Sequence, residues 1–401
     1  MTNLFDTLLL HYGWEGLALC GLLLLLFFVQ LYYYVFVYGA LPGYKASRKQ
    51  ARLEKEPPIS VVIAMFAEDY DFVEHRLPLF LAQQQVVFEV VIVYVGSDGD
   101  FFEDLQRIRQ SFPQVVVTKI ELNPRFPISP KMALNVGIKS AHYEHVIFST
   151  TDVVPTSDRW LALMAKGFTR GEVVIGYCGM EESVPLPTEE EYAAPNRPGK
   201  VAGYLIRTSR MMSSVNWLSA AVKGEPYRGI RHAVGITKKS YYATSNGFGY
   251  LNMNIGEDDL FLQKILTRDN VAVVLSPRAT LREKMWGGMR WWIDQQRYYG
   301  ATRRFYPHRV AAFEGWELGS RVLFLLGVVI ALLFLPIELK LGALALLLFR
   351  YLFVALEVRR IGQRLGEKYL WRHYYLYDLW GPVQSLWVKI LLQRKDARVW
   401  R

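Results

Sequence analysis

Residues 16–38 form an almost unbroken apolar run in which Gln30 is the only strongly polar side chain. A helix of about 20 such residues crosses the hydrocarbon core of a bilayer. The run reads as a retained anchor rather than a cleaved signal peptide. No basic residue precedes it, no clear small-residue cleavage site follows it, and it outlasts an ordinary signal core. Lys45, Arg48, Lys49, Arg52 and Lys55 come next, while the first fifteen residues hold no Lys or Arg. Positive residues stay inside, so the N-terminus is expected outside and the chain from residue 45 onward in the cytoplasm.

A second apolar block covers residues 322–356. Pro336, Glu338 and Lys340 interrupt it, which predicts two helices joined by a tight turn, with Arg359, Arg360 and Arg364 back on the cytoplasmic side. Residues 369–392 are aromatic and contain Gly381-Pro382, and Lys395, Arg398 and Arg401 follow. Another crossing would export those charges. The segment is therefore expected as an amphipathic element in the interface, or as a re-entrant one buried in protein. Three crossings result, in an inner (cytoplasmic) membrane protein with a cytoplasmic middle domain.

Composition agrees with that layout. Hydrophobic residues make up 52% of the 401 and charged residues only 21%, rich for a wholly soluble chain. The 24 Tyr and 11 Trp suit membrane–water interfaces. A net charge of +10 fits anionic lipid or an anionic substrate. Nucleic acid is not expected as partner, because no arginine-rich tail or zinc pattern accompanies the charge. Cys20 and Cys178 alone exclude a disulfide framework and a cysteine-based metal site.

The middle of the chain alternates. Apolar runs at 59–64, 88–94, 115–120 and 146–149 read as buried strands, and 77–85 and 101–111 as helices. This predicts an α/β fold with a mostly parallel sheet covered on both faces. Ligands of such sheets bind at the carboxyl ends of the strands, where Glu68, Ser97, Asp98 and Asp152 fall. Lys131 and Asn135 open a small-residue helix, placing a cation and an amide where a helix start favours anions. A plain surface lysine is the alternative.

Lys131, Ala133, Leu134, Asn135 and Gly137, then Thr150-Thr151-Asp152, then Gly256-Glu257-Asp258-Asp259 stand in an order that resembles the membrane-bound family-2 glycosyltransferases, especially a subgroup common in Bacteroidetes. The resemblance covers nearly the whole chain. It implies a GT-A nucleotide-sugar-binding domain at 57–310, an N-terminal anchor and basic linker at 1–56, and two transmembrane helices with an interfacial segment at 311–401. It implies a nucleotide-diphosphate sugar donor held by Glu68, Ser97, Asp98, Lys131 and Asn135, and Mg²⁺ or Mn²⁺ on Asp152. Asp258 would be the general base, with Glu257 or Asp259 selected by a one-residue slip. A Gln-x-x-Arg-Trp element on an interfacial helix corresponds to Arg297 with Gln295 or Gln296. The acceptor would be lipid-linked or a glycan.

The sequence departs from that pattern in four places. Tyr94 and Val95 stand where aspartates are usual, and Thr150 replaces the first metal-binding carboxylate, so weak metal dependence is expected. Asp294 and Tyr298 replace the Gln and Trp of the interfacial motif, and Arg231-His232 departs from the acceptor-side segment that begins at Pro226. Two functions follow: an inverting glycosyltransferase, or a degenerate relative serving as a membrane scaffold without catalysis. Arg350, inside the third crossing, either snorkels to the interface or pairs with the phosphate of a lipid acceptor. The acids Glu189, Glu190 and Glu191 read as a solvated loop.

Overall fold

The computed structural model describes residues 4–46, 52–122, 128–181, 198–229, 232–244, 247–251 and 253–394. Arg48 and Lys49, the acidic loop with Glu189, Glu190 and Glu191, Arg231, and the terminal Lys395, Arg398 and Arg401 lie outside the described residues.

Helix α1 (Leu4–Leu31, broken at Gly13) continues through a π-helical stretch, Tyr32–Tyr38, into α2 (Ala40–Gly43). Then come β1 (Ile59–Met65), a π-helical turn Phe72–Arg76 leading into α3 (Leu77–Leu81), β2 (Phe88–Val95), α4 (Gly99–Ser111) and β3 (Val115–Ile120). After α5 (Pro130–Ser140) and β4 (His145–Thr150) follow β5 (Val153–Pro155), α6 (Trp160–Phe168), β6 (Val173–Ile175), β7 (Tyr177–Met180) and α7 (Lys200–Val222). The series continues with β8 (Val234–Thr237), α8 (Lys238–Ala243), α9 (Leu262–Ile265), β9 (Val271–Val273), β10 (Thr280–Glu283) and α10 (Met289–Gly300). Three long helices end it: α11 (His308–Phe334), α12 (Ile337–Leu365) and α13 (Tyr374–Leu392).

Seven strands form one sheet in the order β3-β2-β1-β4-β8-β6-β9. The β3-β2-β1-β4 half is parallel, and β8 is antiparallel to both neighbours. Every residue of β1 is buried, as a central strand with both faces covered requires. Helix α5 presses so close to the sheet that a Cβ on Gly137 would stand 2.3 Å from Val62 Cγ1, so only glycine fits there. A second sheet, β5-β10-β7, brings Glu283 at the end of β10 into register with Val153, next to Asp152. Because β2, β1 and β4 run parallel, the residues after their ends, including Glu68, Ser97, Asp98 and Asp152, emerge along one edge.

Three helical spans are long and apolar enough to cross a membrane: His11–Gly43, His308–Phe334 and Ile337–Leu365. They present large apolar side chains such as Phe28, Leu333 and Phe349 outward. The helix pair expected on either side of Pro336 is α11 and α12.

The last segment differs from expectation. It runs as one helix through Gly381-Pro382, burying Tyr374, Asp378, Gly381, Gln384 and Val388 along a single face. Pro382 removes one backbone hydrogen bond. Contacts with other helices hold the segment together across that loss. Gln384 Nε2 donates to Ser209 Oγ of α7 at 3.0 Å and to Gln296 Oε1 of α10 at 2.7 Å.

Arg350 also departs from both of its sequence readings. Its side chain is fully buried. The guanidinium grips Asp378 of α13 with both nitrogens, at 2.6 and 2.9 Å, and reaches Gln30 of α1 at 3.0 Å. It neither snorkels nor faces a lipid phosphate. A charge at that depth is tolerated because a carboxylate from a neighbouring helix meets it in fork geometry.

Candidate active site

The acidic turn 257–259 precedes α9, and its acids have different surroundings. Asp259 is 1% exposed, and its oxygens are occupied. Oδ2 accepts from Thr302 Oγ1 at 2.5 Å and from Tyr306 Oη at 2.7 Å, and Oδ1 accepts from the Leu260 amide at 2.5 Å. Burial, then the adjacent Asp258 charge, pushes the Asp259 carboxyl above its usual range. This residue fastens the turn to the segment after α10, which leaves it no oxygen for a base's work. Glu257 is buried beside them.

Asp258 accepts one strong bond. Arg228 Nη2 donates to its Oδ2 at 2.9 Å, while Oδ1 carries no hydrogen bond among the described residues. Arg228 is itself held on three sides. Its Nη1 donates to Tyr306 Oη at 3.0 Å, its Nε donates to the Gly229 carbonyl at 3.3 Å, and its guanidinium lies 4.0 Å from the Trp217 ring centroid. Burial alone would lower the Arg228 pKa. Tyr306 and the two aspartates outweigh it and raise that pKa well above the ordinary value. That arrangement fixes one Asp258 oxygen on the guanidinium and leaves the other unengaged by it.

Asp152 lies in the turn between β4 and β5. Thr150 Oγ1 donates to Asp152 Oδ1 and lies 3.1 Å from His232 Nδ1. The far ring nitrogen of His232 stands 3.9 Å from Glu283 Oε2, and Arg210 pairs with that same carboxylate oxygen at 2.9 Å. Among the described residues no three His, Cys, Asp or Glu side chains are grouped to hold a metal. Oxygen and nitrogen donors of the kind a divalent ion uses are nonetheless present at Thr150, Asp152 and His232, so the residues fit an ion shared with a phosphate-bearing ligand.

The remaining sequence candidates divide. Lys131 is buried rather than surface-exposed, and its ammonium donates to the Leu251 carbonyl at 2.5 Å. Asn135 Oδ1 accepts from Tyr241 Oη at 3.1 Å. Asp98 caps α4, accepting from the Phe101 amide at 2.8 Å. Glu68 accepts from Tyr94 Oη at 2.5 Å, and the same hydroxyl accepts from the Asp98 amide at 3.2 Å. Tyr94 thus links two expected donor-binding residues. Its ring covers Gly96, where a Cβ would meet it at 2.3 Å. Burial and the Glu68 bond push the phenol up to about 12, so it stays a hydrogen-bond donor. Ser97 is exposed beside them.

A cavity of about 420 Å³ joins this region to the apolar helices. Arg210 of α7, Arg228 and Glu283 line it beside the acidic turn and β10. Ser209 of α7, Glu317 and Arg321 of α11, and Tyr377 and Gln384 of α13 also line it. Gln295 and Gln296 of α10 face it, and Gln296 Nε2 donates to Ser209 Oγ at 3.0 Å. Arg297, on the same helix, is not among the lining residues. Sequence reasoning missed Arg210, Glu283, Thr302, Tyr306 and the partnership of Arg228 with Asp258. Only the departure at His232 and the segment around Arg228 carried any signal.

No protein-family model and no curated protein matches the sequence. Solved structures do. The mannosyltransferase PcManGT from Pyrobaculum calidifontis, in complex with GDP-Man and Mn²⁺, superposes with a TM-score of 0.56 at 13% identity, over 94% of this chain and 100% of that one. The chain has a glycosyltransferase fold. S. aureus TarS is also similar, at TM-score 0.39 and 15% identity over 76% of this chain and 43% of that one.

Proposed function

We propose that the protein is an inverting membrane glycosyltransferase of the family-2 kind, acting at the cytoplasmic face of the inner membrane. A nucleotide-diphosphate sugar lies along the edge formed by Glu68, Ser97, Asp98, Lys131 and Asn135. Asp258 takes the proton of an acceptor hydroxyl as that oxygen attacks the anomeric carbon. The bond from that carbon to the diphosphate breaks, and the nucleoside diphosphate leaves from the opposite side. A divalent ion at Asp152, when bound, neutralises charge on the leaving diphosphate.

One observation carries the reading. Arg228 touches Asp258 and also lines the cavity that reaches the apolar helices. An acceptor lying in that cavity would reach Arg228, one hydrogen bond away from the base. The lining holds six basic residues (Arg210, Arg228, Arg303, Arg304, Arg321, Lys389) against three acids (Glu283, Glu314, Glu317), which favours a lipid-linked or glycan acceptor bearing negative charge. Gln295 and Gln296 would meet it at the wall. The wide similarity to a mannosyltransferase solved with GDP-Man and Mn²⁺ supports the donor class.

A second reading, a scaffold without catalysis, is favoured by Tyr94, whose ring stands where the resemblance expects a nucleotide-binding aspartate. Radiolabelled UDP- and GDP-sugars given to membranes containing the full chain separate the two. Label moving into a lipid or polymer fraction supports transfer. Absence of both transfer and nucleotide binding leaves the scaffold.

A further inference from the structure

Where the resemblance expects a second metal-binding carboxylate, the structure brings in an imidazole from elsewhere in the chain. Thr150 Oγ1 is bonded to Asp152 Oδ1 and lies 3.1 Å from His232 Nδ1. These donors come from the end of β4, the turn before β5, and the segment before β8. In an octahedral shell with bonds of about 2.1 Å, neighbouring donors stand about 3 Å apart. The Thr150–His232 spacing, a hydrogen-bond distance as it stands, has the length of such an edge.

Two further features argue that the ring is placed rather than incidental. His232 is 4% exposed and has φ of 71°, a left-handed backbone that residues other than glycine seldom adopt and that concentrates at ligand sites. Its Nε2 lies 3.9 Å from Glu283 Oε2, too far for a hydrogen bond but close enough for charge attraction, and Arg210 holds that carboxylate at 2.9 Å. A carboxylate behind the far nitrogen is the usual means of orienting a metal-binding imidazole.

We propose that Thr150 Oγ1, Asp152 Oδ1 and His232 Nδ1 form one face of a divalent-cation site that is completed by diphosphate oxygens and water, and that the imidazole makes it prefer a transition-metal ion to Mg²⁺. The proposal rests on the nucleotide-donor reading. The three groups supply one negative charge, too little to hold the ion alone, so binding requires the nucleotide. Mg²⁺ favours oxygen ligands and keeps its waters, whereas imidazole suits transition metals.

The test uses the full chain in detergent with Mn²⁺ and either UDP or GDP. Pulsed electron paramagnetic resonance should show nitrogen-14 modulation from a directly bound imidazole, and a tenfold excess of Mg²⁺ should not displace the Mn²⁺. His232→Ala should lose the modulation and weaken Mn²⁺ binding about tenfold or more, with nucleotide still bound. His232→Asp should recover the ion through oxygen but lose both the modulation and the preference over Mg²⁺. Nucleotide binding that is indifferent to Mn²⁺, or bound Mn²⁺ without nitrogen modulation in the unaltered protein, overturns the site and leaves the donor reading intact. Failure of both nucleotides to bind overturns the donor reading and this site with it.

Discussion

Two buried arginine–aspartate pairs sit in different layers of this molecule. Arg350–Asp378 lies among the apolar helices, fully enclosed, with both guanidinium nitrogens on both carboxylate oxygens. Arg228–Asp258 lies at the acidic turn, with one oxygen engaged and with Arg228 on a cavity wall. The first pair is fully buried and joins α12 to α13, with Gln30 of α1 and Arg321 of α11 beside it. The second leaves Asp258 Oδ1 without a hydrogen bond among the described residues, and its arginine lines a cavity. On the proposed reading the same two residue types serve architecture in one place and chemistry in the other, and access decides which.

The largest effect should come from the open pair. Asp258→Asn is expected to reduce transfer by about 10²–10⁴-fold, the usual loss on removing a general base. Donor affinity should stay close to that of the parent, while the melting temperature falls because the buried Arg228 loses its charged partner. Turnover within a factor of a few of the parent would remove Asp258 from the mechanism.

The closed pair should register chiefly in stability. Arg350→Leu takes the bidentate partner from the buried Asp378 and leaves only Arg321 near it, at 3.9 Å, a defect of up to about 3–5 kcal/mol. It should appear as a large drop in thermal stability in detergent. Combining it with Asp378→Leu should recover most of the loss, because replacing a buried pair by apolar residues is often near neutral. A double variant no better than Arg350→Leu alone would show that the pair is not an isolated unit.

Smaller effects test the supports. Thr302→Val removes one of the hydroxyl donors to Asp259 and should cost about 1–3 kcal/mol, the penalty for an under-satisfied buried acceptor. Denaturant titration would read it, and an unchanged midpoint would show that Tyr306 and the Leu260 amide suffice. Gln384→Leu breaks the bonds to Ser209 and Gln296 and should cost only about 0.5–1.5 kcal/mol. Proteolysis near α13 would sense it, and no change in cleavage would place the docking of that helix in its apolar face alone.

Much of the frame was legible in the residues. The strand expected at 115–120 is β3 (Val115–Ile120), and those expected at 88–94 and 146–149 lie within β2 and β4. Local patterns reveal such elements because burial on one or both faces imposes a period on nearby residues. Gly381-Pro382 does not break α13, because its packing partners from α7 and α10 compensate for the missing backbone bond. Neither π-helical stretch, Tyr32–Tyr38 or Phe72–Arg76, left a local signature.

The sequence alone determined the apolar spans, the alternating strands and helices, and the types of residue at the strand ends. Those properties depend on neighbours within a turn or two. Only the tertiary structure decided that Asp259 is a fastening, that Asp258 meets Arg228, that His232 reaches Thr150, and that Arg350 is answered by Asp378. Each of these pairings crosses 28 or more residues. A charged or hydrogen-bonding group tells little about its role until burial has removed water as a partner, and it is the folded chain that determines which groups remain.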